Sequence, residues 1–397
     1  MTTGIVFSVG CAGLRARRVR AAPPFPFNVP SLSVWHNGRA AIWQGVRRLG
    51  LEAGDRVLVP AYSCGSELDA LIKAGLTVDS YRALPDLSPD LNHLAELIRS
   101  PAHALYVTHY FGFPQPMAPL ADFANRNNLF LIEDTTHGLY SLDSDGRPLG
   151  TAGDLSIFSF PKFLPLPDGG CYVLGAAPSP TDPPVPSRAP ETSAIAGKVK
   201  GLLEAEMLRR FPAGGAFVKT RVITPPVEFV KRCLYPDYRP GPEDDVISAF
   251  GGRNLEPDRA DWGMSGLSKF LLGRIDHSQI APARQRNYRA LDAHFHGGDR
   301  VRPLLGPLPD GACPWVYPLW AQDVKALRNF MASHRIECGL FWIKDYPAVP
   351  LDDFPFERNL RQHVAILPLH QGLTVDNMTT IADLLNQWNR MAPGTIG

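Results

Sequence analysis

Three short stretches carry residue types that could do covalent and acid–base chemistry. From Asp154 to Lys162 an apolar run ends in Phe158-Ser159-Phe160-Pro161 and then a lysine. Burial at a strand end would lower that amine's pKa and free it as a nucleophile. From Leu129 to Gly138 a second apolar run closes on Glu133 and Asp134, followed by Thr135, Thr136 and His137. A carboxylate placed there could hold a protonated ring nitrogen, or Asp134 could simply cap the next turn. In the third, His36-Asn37-Gly38-Arg39-Ala40-Ala41, a glycine turn opens a helical pattern. Backbone N–H groups and the helix dipole favour a phosphate at such a point, although Asn-Gly also opens helices that bind nothing. The same lysine stretch spells S-x-x-K, the nucleophile and base of penicillin-recognising serine enzymes. That motif needs a helix, which Pro161, Pro165 and Pro167 interrupt, and the nearest later candidate for K-T-G is Lys219-Thr220-Arg221.

The elements that must position these residues read as alternating short apolar runs and amphipathic patterns between about 36 and 175, the signature of a parallel sheet with crossover helices. Strands are expected at 56–60, 77–81, 104–108, 129–132, 155–160 and 171–174, with helices at 39–49, 66–74, 91–99 and 119–127. In such sheets the chemistry gathers beyond the carboxyl ends of the strands. Residues 176–192 hold six prolines and read as an exposed excursion. Helical patterns return at 193–210, 266–272 and 281–295, with a loop-rich section at 236–261. We expect an N-terminal extension over 1–30, a large domain over 31–294 with loop-rich inserts at 176–192 and 211–260, and a small α/β domain over 295–397. The last would contain a strand at 315–320, a helix at 323–335 and a final helix at 374–388 capped by Thr374 or Asp376.

The chain's 397 residues suit two or three compact units. Lys plus Arg is 40 against 39 for Asp plus Glu, so a net charge of +1 supplies no electrostatic reason to bind nucleic acid or an acidic membrane. No apolar stretch is long enough for a membrane span, and the basic run Arg15, Arg17, Arg18, Arg20 follows the apolar residues 5–14 rather than preceding them, the reverse of a signal peptide. The six cysteines (Cys11, Cys64, Cys171, Cys233, Cys313, Cys338) lie far apart without CxxC, which fits a reducing cytoplasm, and no metal site is expected. His294-Phe295-His296 reads as a helix end before Gly297-Gly298 rather than as a metal site. Trp315 and Tyr317 share a strand face and read as core, and Cys64 and Cys338 read as buried small hydrophobes.

Taken together, the motifs resemble the DegT/DnrJ/EryC1/StrS family of sugar-nucleotide aminotransferases, fold-type I pyridoxal-phosphate enzymes. Gly38-Arg39-Ala40-Ala41-Ile42, Val59-Pro60, His109-Tyr110-Phe111-Gly112, Glu133 to His137, Phe158-Ser159-Phe160 with Lys162 and Asp168-Gly169-Gly170, and Ile366 to His370 with Leu373-Thr374 follow the family's order. The resemblance implies an α/β fold, with a large mixed, mostly parallel sheet flanked by helices and a smaller C-terminal α/β domain. It gives Lys162 the Schiff base with pyridoxal 5'-phosphate and the later proton transfer, and Asp134 the pyridinium nitrogen. Gly38, Arg39, Ala40 and Ser159 would hold the phosphate, with His137 near the ring oxygen. Cys64 stands where the family has a ring-stacking aromatic, which leaves that face to Tyr62, to His109 or to nothing. Asp261-Trp262-Gly263-Met264 aligns with a contact that the family draws from the neighbouring subunit, but lacks its Asn and Arg. The implied activity moves nitrogen from an amino acid, glutamate or glutamine, to a keto-sugar carried on a nucleotide, in a cytoplasmic homodimer. A non-sugar ketone, or a non-catalytic relative that keeps the fold for binding, stand as alternatives. The family's dehydratase branch replaces the lysine with histidine.

Overall fold

A computed structural model describes residues 4–175, 186, 188–210 and 254–391. The expected excursions at 176–192 and 211–260 fall largely outside these residues. Seven strands form the larger sheet: β1 (Leu32–Trp35), β2 (Arg56–Pro60), β3 (Thr77–Tyr81), β4 (Ala104–Thr108), β5 (Phe130–Asp134), β6 (Leu155–Ser159) and β7 (Gly170–Leu174). Their order is β1-β7-β6-β5-β4-β2-β3, parallel from β3 through β6 and antiparallel where β7 and β1 close the edge. Helices α1 (Gly38–Leu49), α2 (Ser66–Lys73), α3 (Leu91–Leu97) and α4 (Met117–Arg126) connect them, as parallel pairing requires.

The expected strand at 129–132 runs on to Asp134, because Glu133 and Asp134 pair in register with Val107 and Thr108 of β4. Two acids thus lie inside a strand, and the pleat sends their side chains to opposite faces. At the other end of the motif series, β6 stops at Ser159 and Phe160–Lys162 form a 3-10 turn with Pro161 inside it. Close approach explains two glycines here. A Cβ on Gly45 of α1 would come within 2.9 Å of Leu155, and one on Gly170 within 2.4 Å of the Gly38 nitrogen. Helix α1 therefore lies flat on β6 and β7, with its first turn beside the start of β7.

The second sheet is antiparallel, in the order β10 (Gly339–Leu340), β11 (Val364–Pro368), β9 (Val316–Ala321), β8 (Val301–Pro303). Strands β1, β8 and β10 are not in the pattern reading, since runs of two to four residues carry too little periodicity, and β11 is not in it either, although its residues 366–368 belong to a motif. Helices α5 (Thr192–Arg210), α6 (Gly266–Leu272), α7 (Ile280–His294), α8 (Val324–Ser333), α9 (Pro355–His363) and α10 (Val375–Arg390) complete the described helices. Thr374 caps α10 in a capping box with Asn377. Four clusters of buried apolar residues are present among the described residues, and two of them lie as follows. Leu291, Tyr317, Leu319, Leu367, Ile381 and Leu385 fill the space between α7, α10 and the small sheet, and Ile5 joins them through a bridge to Ile336. Under the large sheet α1 and α2 bury Ala41, Val46, Leu68 and Leu71 against Val57, Val59 and Ile157. No described helix is long and apolar enough to cross a membrane.

Candidate active site

The ends of β5 and β6, the first turn of α1 and the entrance to the small sheet surround one cavity of about 780 Å3. Gly38, Arg39, Cys64, Asp134, His137, Ser159 and Lys162 all line it. At its base Lys162 Nζ donates to Thr136 Oγ1 at 3.2 Å and lies 5.0 Å from the centre of the Trp315 ring. Burial lowers the Lys162 pKa, and Asp134, Cys64 and Glu67 only partly offset this. A lowered pKa keeps more of the amine neutral, as a nucleophile or proton carrier needs.

Asp134 is held from two sides. Its Oδ1 accepts the Thr136 N–H at 2.9 Å and its Oδ2 accepts the Tyr106 hydroxyl at 2.8 Å. It therefore does shape the following turn, and it also faces the cavity. Glu133 points the other way. Its carboxylate accepts from Gly150, Ala152 and Gly153 N–H groups and from His109. Burial would raise its pKa, but His109 and these amides outweigh burial and hold it below the usual carboxylate range.

His109 and Ala40 do not reach the cavity. The His109 ring is 0% exposed. Its Nδ1 accepts the Gln115 N–H at 3.0 Å, which places the ring proton on Nε2, donated to Glu133 at 3.0 Å. The ring is thus a structural link behind the sheet and cannot stack on anything in the site. The Ala40 N–H is taken by Asn37 Oδ1 at 2.9 Å in the N-cap, so Gly38 and Arg39 are the first-turn residues that face the cavity. Tyr62 is also buried away from it, among Tyr110, Phe341 and Trp342.

His137 lies between Trp315, at 4.4 Å and 20° between planes, and Phe111. Burial, aided by Lys162, keeps its pKa well below the ordinary value, so the ring is neutral. Its Nδ1 is buried without a hydrogen-bond partner among the described residues. Cys64 is no simple hydrophobe. Its thiol lies 2.6 Å from both Glu67 Oε2 and Ser66 Oγ, and burial with Glu67 beside it pushes the pKa up to about 12. Cys338, by contrast, is buried in the small-sheet core.

The pattern reading missed Trp315, Glu67 and Thr136. Trp315 precedes β9 rather than belonging to it, and its N–H donates to the Phe111 carbonyl at 2.8 Å. Strand alternation therefore does not apply to it, and it faces the cavity while Tyr317 enters the small-sheet core. Glu67, 4% exposed, sits in the first turn of α2, where an acid is ordinarily explained by the helix dipole. Burial and the nearby Asp134 raise its pKa. The segment 261–264 lies against the opening of α1 in the same chain: the Trp262 carbonyl accepts the His36 N–H, and Gly263 bridges Trp35. His294 closes α7 with its ring on the Ala290 carbonyl, and no three metal-ligating side chains gather among the described residues.

Residues 32–174 match the model of the DegT/DnrJ/EryC1/StrS aminotransferase family. Over 361 residues the chain is 27% identical to a dTDP-4-dehydro-2,3,6-trideoxy-D-glucose 4-aminotransferase of Saccharopolyspora spinosa, with 88% of this chain and 82% of that one covered. A shorter stretch of 142 residues is 31% identical to the GDP-perosamine synthase of Escherichia coli O157:H7, covering 34% of this chain and 38% of that one. Among solved structures, DesV of S. venezuelae in complex with a ketimine intermediate superposes with a TM-score of 0.59 at 19% identity, over 91% of this chain and 85% of that one. The putative sugar aminotransferase Spr1654 of Streptococcus pneumoniae, in its PLP form, gives 0.58 at 18%, over 90% and 88%. The fold is that of the fold-type I aminotransferases.

Proposed function

We infer, from the membership of residues 32–174 in the DegT/DnrJ/EryC1/StrS aminotransferase family, that this chain is an aminotransferase acting on a keto-sugar with pyridoxal phosphate as its cofactor. The observation that carries this reading is a half-buried lysine of lowered pKa in the same cavity as a carboxylate fixed by two hydrogen bonds. The residues present fit that cofactor. The lysine amine suits its aldehyde, Asp134 suits a ring nitrogen, and the unpartnered Nδ1 of His137 offers a polar atom at the wall. Gly38, Arg39 and Ser159 suit its phosphate at the opening of α1. Ala40 and His109 are left out of that set.

When bound, pyridoxal phosphate supplies an aldehyde that condenses with amines and a protonated ring that withdraws electrons. The chain's own residues do the rest. Lys162 Nζ would hold the cofactor's aldehyde and would serve as the amine that accepts and returns a proton, which its lowered pKa favours. Asp134 would face the ring nitrogen, and Tyr106 and Thr136 fix the direction of its carboxylate. Trp315, stacked on the neutral His137, forms the cavity wall beside the lysine amine. The donor is glutamate or glutamine, the acceptor a nucleotide-linked keto-sugar, and the working form a cytoplasmic homodimer.

An absorption spectrum tests this. Protein supplied with pyridoxal phosphate should show an imine band that one amino acid converts to the aminated cofactor without any acceptor. Borohydride reduction should fix the label on the peptide containing Lys162. A label on Lys73 or Lys269, or bound cofactor that no amino acid converts, defeats the reading.

A further inference from the structure

One guanidinium touches the main chain on both sides of the contact between the lysine and the indole. Arg284, on α7 and 1% exposed, donates from Nη1 to the Trp315 carbonyl at 2.8 Å and the Pro314 carbonyl at 3.3 Å, and from Nη2 to the Lys162 carbonyl at 3.4 Å. Its Nε donates to Gln371 Oε1 at 3.0 Å, and Gln371 Nε2 in turn donates to the Phe163 carbonyl at 2.8 Å. The guanidinium lies 4.6 Å from the centre of the Phe163 ring. Among the described residues no carboxylate pairs with it; its donors are met by carbonyl and amide oxygens.

Burying a cation without a counter-ion is costly unless a geometric requirement is met. Here the requirement is visible. Lys162 ends a 3-10 turn that contains Pro161 and has no side-chain cap, so little local structure holds it. Trp315 lies just before β9, beside the other sheet. The planar fork reaches both carbonyls at once, which a lysine ammonium on a flexible stem would not reproduce.

We propose that Arg284 is a positioning residue: through the Lys162, Trp315 and Pro314 carbonyls it sets the Lys162 turn against Trp315, and Gln371 braces it. Around the amine stand Asp134, Cys64, Glu67 and Arg39 as charged or titratable neighbours, with His137 at the wall, and none of them touches Arg284. Losing Arg284 frees the turn and lets the amine move towards solvent, where it becomes an ordinary protonated lysine.

A second arginine provides the control. Arg361, 2% exposed, joins the Ser63 and Ala61 carbonyls to those of Trp342 and Lys344, which is the same kind of bridge between the two sheets without contact to Lys162. The chain without cofactor is treated with cyanate near neutral pH and again at alkaline pH. Carbamylation at Lys162 is followed by peptide mass spectrometry, with exposed Lys269 as internal reference. Cyanate reacts with the neutral amine, so the ratio of the two rates reports ionisation and cancels simple access. In Arg284→Gln the neutral-to-alkaline ratio at Lys162 should fall by about tenfold or more, the consequence of one unit or more of pKa. Gln371→Ala should move it in the same direction by less, and Arg361→Gln should leave it unchanged. If Arg284→Gln does not fold by circular dichroism, Gln371→Ala decides. An unchanged ratio in the folded variants, or an equal change in Arg361→Gln, overturns the proposal. The proposal takes the lysine's importance from the functional reading, but the assay contains no pyridoxal phosphate. Absence of an imine in the unaltered protein would sink that reading and leave this result standing.

Discussion

Lys162 and Glu67 share a cavity, and burial favours the neutral form of each. For Lys162 the consequence, on the proposed function, is catalytic. Lys162→Ala should lower turnover on the order of a thousandfold or more, and Asp134→Asn by about a hundredfold while some cofactor stays bound, both measured as single-turnover rates with the donor amino acid. For Glu67 the consequence is stability. Its folded-state pKa is raised above the unfolded value, so native protein holds the proton more tightly and stability is lost as pH rises through the folded pKa. Glu67→Gln keeps an acceptor for the Cys64 N–H and removes the charge. It should melt higher than the unaltered protein above the folded-state pKa of Glu67, by roughly 1 °C for about 1 kcal/mol, and the gap should close as pH falls towards the ordinary glutamate value. A gap independent of pH would mean that charge is not the cause.

At the scale of elements, the loop after the lysine is bolted to α6 by one buried carboxylate. Asp168 accepts the Ser265 N–H at 2.8 Å and hydroxyls from Ser265 and Ser268, so the Asp168-Gly169-Gly170 stretch and the start of α6 move together. Asp168→Ala leaves three buried donors without their acceptor and should cost about 2–3 kcal/mol in denaturant unfolding, against a smaller loss for Asp168→Asn. At the far end of the chain, Thr374→Ala removes the capping box of α10 and should cost about 1 kcal/mol, restored by Thr374→Ser. Both elements were legible in outline. A Thr three residues before Asn377 is a local signal, and so is a glycine pair after a strand. That Asp168 reaches Ser265 was not legible, because no local rule links positions 97 residues apart.

For the whole molecule, the prediction concerns assembly. Helix α6 turns Leu267 and Phe270 outward, the latter 55% exposed, and α5 exposes Leu203. Exposed large apolar side chains and the common two-fold symmetry of soluble enzymes fit a pair of chains. Light scattering should give twice the 43.5 kDa chain mass. An active monomer with bound cofactor would overturn it.

What the sequence determined by itself is what short-range chemistry dictates. The pattern placed β2, β3 and β4 at their observed ends: β2 and β4 are nearly unbroken apolar runs buried along most of their length, and β3, the half-exposed edge strand, follows the turn at Gly75. The order of the motifs led to Lys162, Asp134, Gly38, Arg39, His137, Ser159 and Cys64, all of which line the cavity. Tertiary structure decided the rest. His109 and Ala40 carry the right residue types in matching motifs, yet Glu133, Gln115 and Asn37 had already taken their polar atoms. Trp315 reads as core and becomes a wall of the site, and Arg284, which no motif singles out, bridges Lys162 to that wall. The physical reason is common to all four. A residue type states which bonds a side chain can make, while the packing of distant segments settles which partner arrives first and whether water is left to compete.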